Sequence, residues 1–103
     1  VTAWYQVTSS DVCVTVASSG GPNPCPINLP AVAGRTMPVI LKNLGTQPLE
    51  VYPQGGDTID GESGAYTVPV AADGVCPTVV LVPDGVSAWL ILASHGMTTT
   101  GGV

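Results

Sequence analysis

Positive charge and phenylalanine are what this chain lacks most: of its 103 residues only Arg35 and Lys42 are basic, and Phe is absent. Charged residues make up 9% of the sequence, against about 25% in an ordinary globular domain. With a formal net charge of −5 and two cations, no surface can track nucleic-acid phosphates or an anionic membrane, because almost nothing is present to neutralise them. No apolar run approaches the ~18 residues of a membrane-spanning helix. Histidine is nearly missing as well. His95 stands alone between Ser94 and Gly96, so neither a zinc ligand pattern nor a nucleophile-base-acid set can be built around it. Nucleophile elbow, phosphate loop and dinucleotide fingerprint are all absent. The chain is expected not to be an enzyme and to use no cofactor and no metal.

What is present is apolar and punctuated. Hydrophobic residues reach 45%, with 13 Gly and 10 Pro, a mixture that interrupts helices wherever one could start. A chain of this length forms a single domain with one modest core, burying roughly 60 to 70% of its unfolded surface. So little charge beside so much apolar matter means that part of the outer surface is neutral or covered by a partner.

The stretch from Met37 to Leu92 alternates short Val, Ile, Leu, Tyr and Trp runs with turn dipeptides. Asp60-Gly61, Asp73-Gly74 and Asp84-Gly85 recur 13 and then 11 residues apart, about one strand plus one turn. This predicts an all-β chain, an antiparallel β-sandwich or β-barrel-like meander. Residues 1–16 are expected to form an N-terminal β-hairpin from Trp4–Thr8 and Val12–Val16. Residues 37–93 form the core meander, in which Leu49–Tyr52 pairs back on Met37–Lys42, and residues 94–103 form a tail. Pro69 marks 65–70 as an edge or irregular strand. The two most hydrophobic strands, Thr78–Val82 and Ala88–Leu92, are apolar at both parities, which requires cover on both faces.

Residues 17–36 differ in kind. Pro22, Pro24, Pro26 and Pro30 remove donors and bias their predecessors to extended backbone. The segment is expected to be a linker or an extended arm lying on a neighbour. Ile27, Leu29, Ala31 and Val32 are too apolar for a solvated tether. Pro22, Pro24, Pro26, Ile27, Leu29, Val32 and Trp89 are the candidate partner-binding residues.

Three cysteines, Cys13, Cys25 and Cys76, leave at least one thiol unpaired in a monomer. They read either as small buried thiols or as a Cys13–Cys25 bridge with Cys76 free, the latter suiting a small secreted domain. The acidic residues sit mostly in Gly-containing turns where Asp is favoured locally. Asp57, Asp60 and Glu62 crowd one loop, but their spacing departs from a calcium loop. Trp4, Tyr5, Tyr52, Tyr66 and Trp89 serve a core or interface, or, if exposed together, a sugar-stacking platform.

One segment carries a further signal. Val39, Leu41, Asn43, Gly45, Leu49, Val51, Tyr52 and Pro53 come first, followed by Gly56, Ile59, Asp60 and Gly61. Val80, Leu81, Val82, Asp84, Gly85 and Trp89 complete the run. This order resembles the small β domains of bacteriophage head decoration (cement) proteins and of head or tail fibres. The likeness covers about half the chain; the first 36 residues lie outside it, and Cys76-Pro77 interrupts a strand that is usually smoother. The resemblance implies a non-enzymatic virion protein. It would be a homo-oligomer, typically a homotrimer, that binds the major capsid protein and stabilises the phage head from its surface, after synthesis in the host bacterial cytoplasm. The alternative it implies is a fibre or receptor-binding, carbohydrate-binding β domain using Tyr52, Tyr66 or Trp89.

Overall fold

The computed structural model describes residues 4–8, 10–17, 23–71 and 74–96. Among them there is no helix. Nine strands are present: β1 (Tyr5–Gln6), β2 (Cys13–Val16), β3 (Cys25–Asn28), β4 (Val39–Asn43), β5 (Leu49–Tyr52), β6 (Thr58–Ile59), β7 (Tyr66–Val68), β8 (Thr78–Pro83) and β9 (Ala88–His95). They form a four-stranded sheet in the order β1-β3-β5-β7 and a five-stranded sheet in the order β2-β4-β8-β9-β6. The all-β expectation holds.

Antiparallel pairing does not hold throughout. Four of the neighbouring pairs are parallel, β1 with β3, β2 with β4, β3 with β5 and β6 with β9, and three are antiparallel, β5 with β7, β4 with β8 and β8 with β9. The cause is a regular alternation: from β1 to β8 every strand lies in the opposite sheet from its predecessor, and only β8 to β9 stays within one. A chain that crosses to the other layer and returns arrives beside the strand two before it, pointing the same way. Crossing therefore favours parallel neighbours where a meander gives antiparallel ones.

Two expected pairings fall with that correction. The N-terminal hairpin is absent, since β1 pairs β3 and β2 pairs β4. A tight turn does exist, with Asp11 N–H donating to the Thr8 carbonyl at 3.2 Å, but it hands the chain across layers so that Val7, Val14 and Val16 all reach the core. Likewise β5 pairs β3 and β7 rather than β4. The turn between β4 and β5 is held by Asn43, which is fully buried. Its carboxamide oxygen accepts from Gly45 N–H, and its amide nitrogen donates to the carbonyls of Gln47 and Pro69, all at 2.9 Å. A buried amide satisfied on both ends fixes a turn sharply, since leaving either end unpaired costs about 1–3 kcal/mol.

The proline-rich stretch is also corrected. Residues 25–28 are an internal strand, between β1 and β5, and Cys25, Ile27, Leu29 and Val32 are buried in the common core. Pro26 is tolerated there for a geometric reason. Cys25 N–H and Leu29 N–H donate to β5-side carbonyls of Pro48 and Tyr52, so Pro26 faces β1, whose pairing begins only at Ile27. The apolar parity that suggested an arm is the inward face of a strand.

Both sheets contribute to one core: Cys25, Ile27, Leu49, Val51 and Val68 from the first, Val14, Val16, Val39, Leu41, Ile59, Val79, Leu81 and Trp89 from the second. Trp89 is the largest of these side chains, fully enclosed. With no Phe in the chain, it supplies the aromatic bulk that fills the space between strands.

Candidate interaction face on the five-stranded sheet

Since alternate residues of a strand point to opposite faces, the buried set above defines the outer face of the five-stranded sheet. It carries Cys13 and Thr15 from β2, Ile40 and Lys42 from β4, Thr78, Val80 and Val82 from β8, and Leu90, Ala93 and His95 from β9. The register lines these up across strands. Cys13 faces Ile40, Ile40 faces Val80 and Val80 faces Ala93; Val82 faces Leu90; Thr15, Lys42, Thr78 and His95 form the row at one end. A bulge adds to the apolar area. Val80 pairs Ala93 while Leu81 pairs Ile91, which leaves Leu92 as the extra residue, re-aimed to solvent at 71% exposure. Leu90 is 47% exposed, and Val86, at the tip of the β8–β9 connection, 73%.

None of β2, β4, β8 or β9 contains an Asp or Glu. Charge lies at the two ends and along the β6 edge. Lys42 and His95 stand at the Thr78 end. Asp84 stands at the other, where its Oδ1 accepts the backbone N–H groups of Val86, Ser87 and Ala88 at 2.8, 3.0 and 3.0 Å. Those bonds, from Val86 first, then Ala88 and Ser87, hold its carboxyl below the usual carboxylate range. Asp60 stands at the β6 edge beside the middle of β9, its Oδ1 accepting from Ile91 N–H at 3.0 Å. Asp60 and Gly61 form a tight turn with φ of 50° and 85°, as a two-residue hairpin turn demands.

Beneath the face, Arg35 anchors the chain entry into β4. Its guanidinium is nearly buried and donates to the carbonyls of Thr8, Asp11, Met37 and Pro38. It also sits 5.6 Å from the centroid of the Trp89 ring, within cation–π range. Asp11 completes that corner. Its carboxylate accepts from Thr8 N–H and the Tyr5 hydroxyl, and these bonds hold its pKa below the ordinary value. The Trp89 indole N–H is the one buried side-chain donor among the described residues with no partner.

The residues expected to bind a partner are dispersed by the fold. Ile27, Leu29, Val32 and Trp89 lie inside the chain's own core, so they are closed to a partner. Pro26 is half-buried within β3 and Pro24 is exposed just before it; Pro22 lies outside the described residues. Nor do the rings gather. Tyr52 is exposed on the outer face of the four-stranded sheet, donating to Glu50 at 2.7 Å, Tyr66 is half-buried, and Trp89 is enclosed. Asp57 is turned to Val32 N–H at 3.0 Å, a loop-fastening role, as Asp60 has toward Ile91. Cys13, Cys25 and Cys76 are all free thiols, so the Cys13–Cys25 bridge is not formed. Ser94 and His95, adjacent on β9, point to opposite faces.

A hollow of about 270 Å³ is lined by Pro30, Ala31 and residues 33–37. Arg35 is the single ionisable group in its wall, and that guanidinium is spent on backbone carbonyls. The exposed leucines of β9 were legible in part, as the double parity of the last two strands; the bulge that presents Leu92 leaves no trace in residue order. Compared with known proteins, the chain matches no family model, no curated protein and no solved structure.

Proposed function

We propose that this chain is a structural virion protein, a capsid decoration protein whose two sheets form a β-sandwich and whose work is to be buried among neighbours on a phage head. The observation that carries the reading is the apolar outer face of the five-stranded sheet, whose strands β2, β4, β8 and β9 hold no carboxylate, with Leu90 and Leu92 open to solvent. Covering such a face contributes about 25 cal/mol per Å² before ordering costs, which is how a passive protein resists separation of the units it touches. The residue order from Val39 to Trp89 supports the virion assignment, and the scarcity of charged residues is in keeping with it. Its partners are copies of itself and the major capsid protein.

Mass spectrometry and cryo-electron microscopy of particles of the phage that encodes the chain test this directly. The chain is expected in stoichiometric amount on the head exterior, and particles lacking it should rupture at lower temperature. Its absence from purified particles would sink the reading. Its presence only on tail or head fibres would favour the receptor-binding alternative, for which exposed Tyr52 beside Glu50 and Asn28 is the feature to mutate.

A further inference from the structure

The outer face of the five-stranded sheet is self-complementary, and we infer that its occupant is the same face of a second copy, related by a two-fold axis that lies in the plane between the two faces and runs across the strands. The inference rests on the assembly reading above, takes a two-fold pair in place of the trimer that the resemblance implies, and adds which surface joins the copies and how they are oriented.

Three observations converge. First, the face is apolar along its middle, through Ile40, Val80, Val82, Leu90 and Leu92, and its four long strands hold no carboxylate. For a chain of net charge −5, this is the surface through which two copies approach with least mutual repulsion. Second, the charge at its ends is opposite in sign. Lys42 lies across from Thr78 at the start of β8, and Asp84 follows Pro83 at its end. Six residues of strand separate them, about 20 Å. A half-turn about the centre of the face lays the Lys42 end of each copy on the Asp84 end of the other, so both pairs form at once, as an isologous contact requires. A parallel stacking would oppose Lys42 to Lys42. Third, the area sets the strength. Four strands about 4.8 Å apart and about 20 Å long present on the order of 400 Å² in flat projection from each copy. Two such faces bury on the order of 800 Å² together, below the size of a standard interface, so the pair is weak and transient in solution, micromolar at its tightest, and is strengthened in an assembly.

Sedimentation equilibrium and native mass spectrometry of the full chain test this up to about 100 µM, a hundredfold above a micromolar dissociation constant. A mass of two chains is expected. The double variant Leu90→Lys, Leu92→Lys should be monomeric with an unchanged circular dichroism spectrum, while Thr67→Lys on the other sheet should leave the mass of two chains in place. Lys42→Asp should weaken the pair about tenfold, and adding Asp84→Lys in the same chain should restore it. Asp84 also holds its loop, so if the double swap fails to fold, ionic strength replaces it, with weaker pairing expected at high salt. A monomer at all concentrations, a mass of three chains, or a dimer indifferent to Leu90 and Leu92 overturns the inference. A dimer indifferent to both Lys42→Asp and salt overturns the two-fold orientation. A monomer in solution that is nonetheless stoichiometric on phage heads overturns this inference alone. A two-fold pair absent from every particle leaves it standing and removes the virion reading.

Discussion

The two sheets share one core yet turn opposite surfaces outward. The four-stranded sheet shows Gln6, Asn28, Glu50, Tyr52 and Thr67, a polar set tied together by bonds such as Gln6 Nε2 to the Asn28 carbonyl at 3.2 Å and Tyr52 to Glu50. The five-stranded sheet shows Ile40, Val80, Val82, Leu90 and Leu92. Inward, both are equally dry. What separates them is the residue type at the outward positions, which contribute no side chain to the shared core. Apolar residues at positions where water would accept polar ones are what the proposed contact surface rests on.

The largest effect comes from removing what both faces rest on. Trp89→Ala should lower stability by about 3–5 kcal/mol, the range for deleting a buried large aromatic, read as a fall in the urea midpoint; a smaller loss would mean that the sheets are held apart by something else. Arg35→Met comes next. It leaves the carbonyls of Thr8, Asp11, Met37 and Pro38 without their shared donor, for a loss of about 1–3 kcal/mol, and should loosen the 8–11 turn in hydrogen exchange before it affects β8 and β9.

The contrast between the faces is sharpened by a dye. A hydrophobic fluorophore such as ANS should bind the unmodified chain at the five-stranded sheet, lose most of that signal in Leu92→Lys, and keep it in Thr67→Lys. Both variants should change monomer stability by no more than about 0.5 kcal/mol, as exposed substitutions do. Equal loss of signal in the two would erase the distinction drawn between the sheets.

Smaller effects follow pH. Asp11 and Asp84 are held below their ordinary pKa by hydrogen bonds to their charged forms. Their contribution is therefore complete above the unfolded carboxylate value and is lost as pH falls through the lower folded values. Asp84→Ala should remove part of that acid dependence and lower the melting temperature at pH 7 more than at pH 2. At the alkaline end, Tyr5 and Tyr52 have raised pKa values, through their bonds to Asp11 and Glu50. Their contribution is complete below the unfolded value of about 10 and is lost as pH rises through the higher folded values. Tyr52→Phe should flatten that limb slightly, the smallest change expected, visible only in melting scans above pH 10.

Much of this molecule was legible from residue order alone. Short β-branched runs, abundant Gly and Pro, and Asp-Gly dipeptides dictate strands and turns through local backbone preference, and eight of the nine described strands answer to them; β3, within the proline-rich stretch, does not. Double-parity apolarity in Thr78–Val82 and Ala88–Leu92 announces a sheet with something on both sides, because alternation in a strand is a property of the backbone itself. Layer assignment is another matter. Asp60-Gly61 and Asp84-Gly85 look alike in sequence, yet the first precedes a crossing to the other sheet and the second a return within one. A tight turn sets a reversal of direction but not the plane in which it happens. That plane is decided by which long-range partners, such as Asn43 with Pro69 or Arg35 with Trp89, best fill and satisfy a shared interior. For the same reason Ile27, Leu29 and Val32 could be known as apolar but not as internal, and the outward leucines of β9 became a surface only once the other sheet had taken the inside.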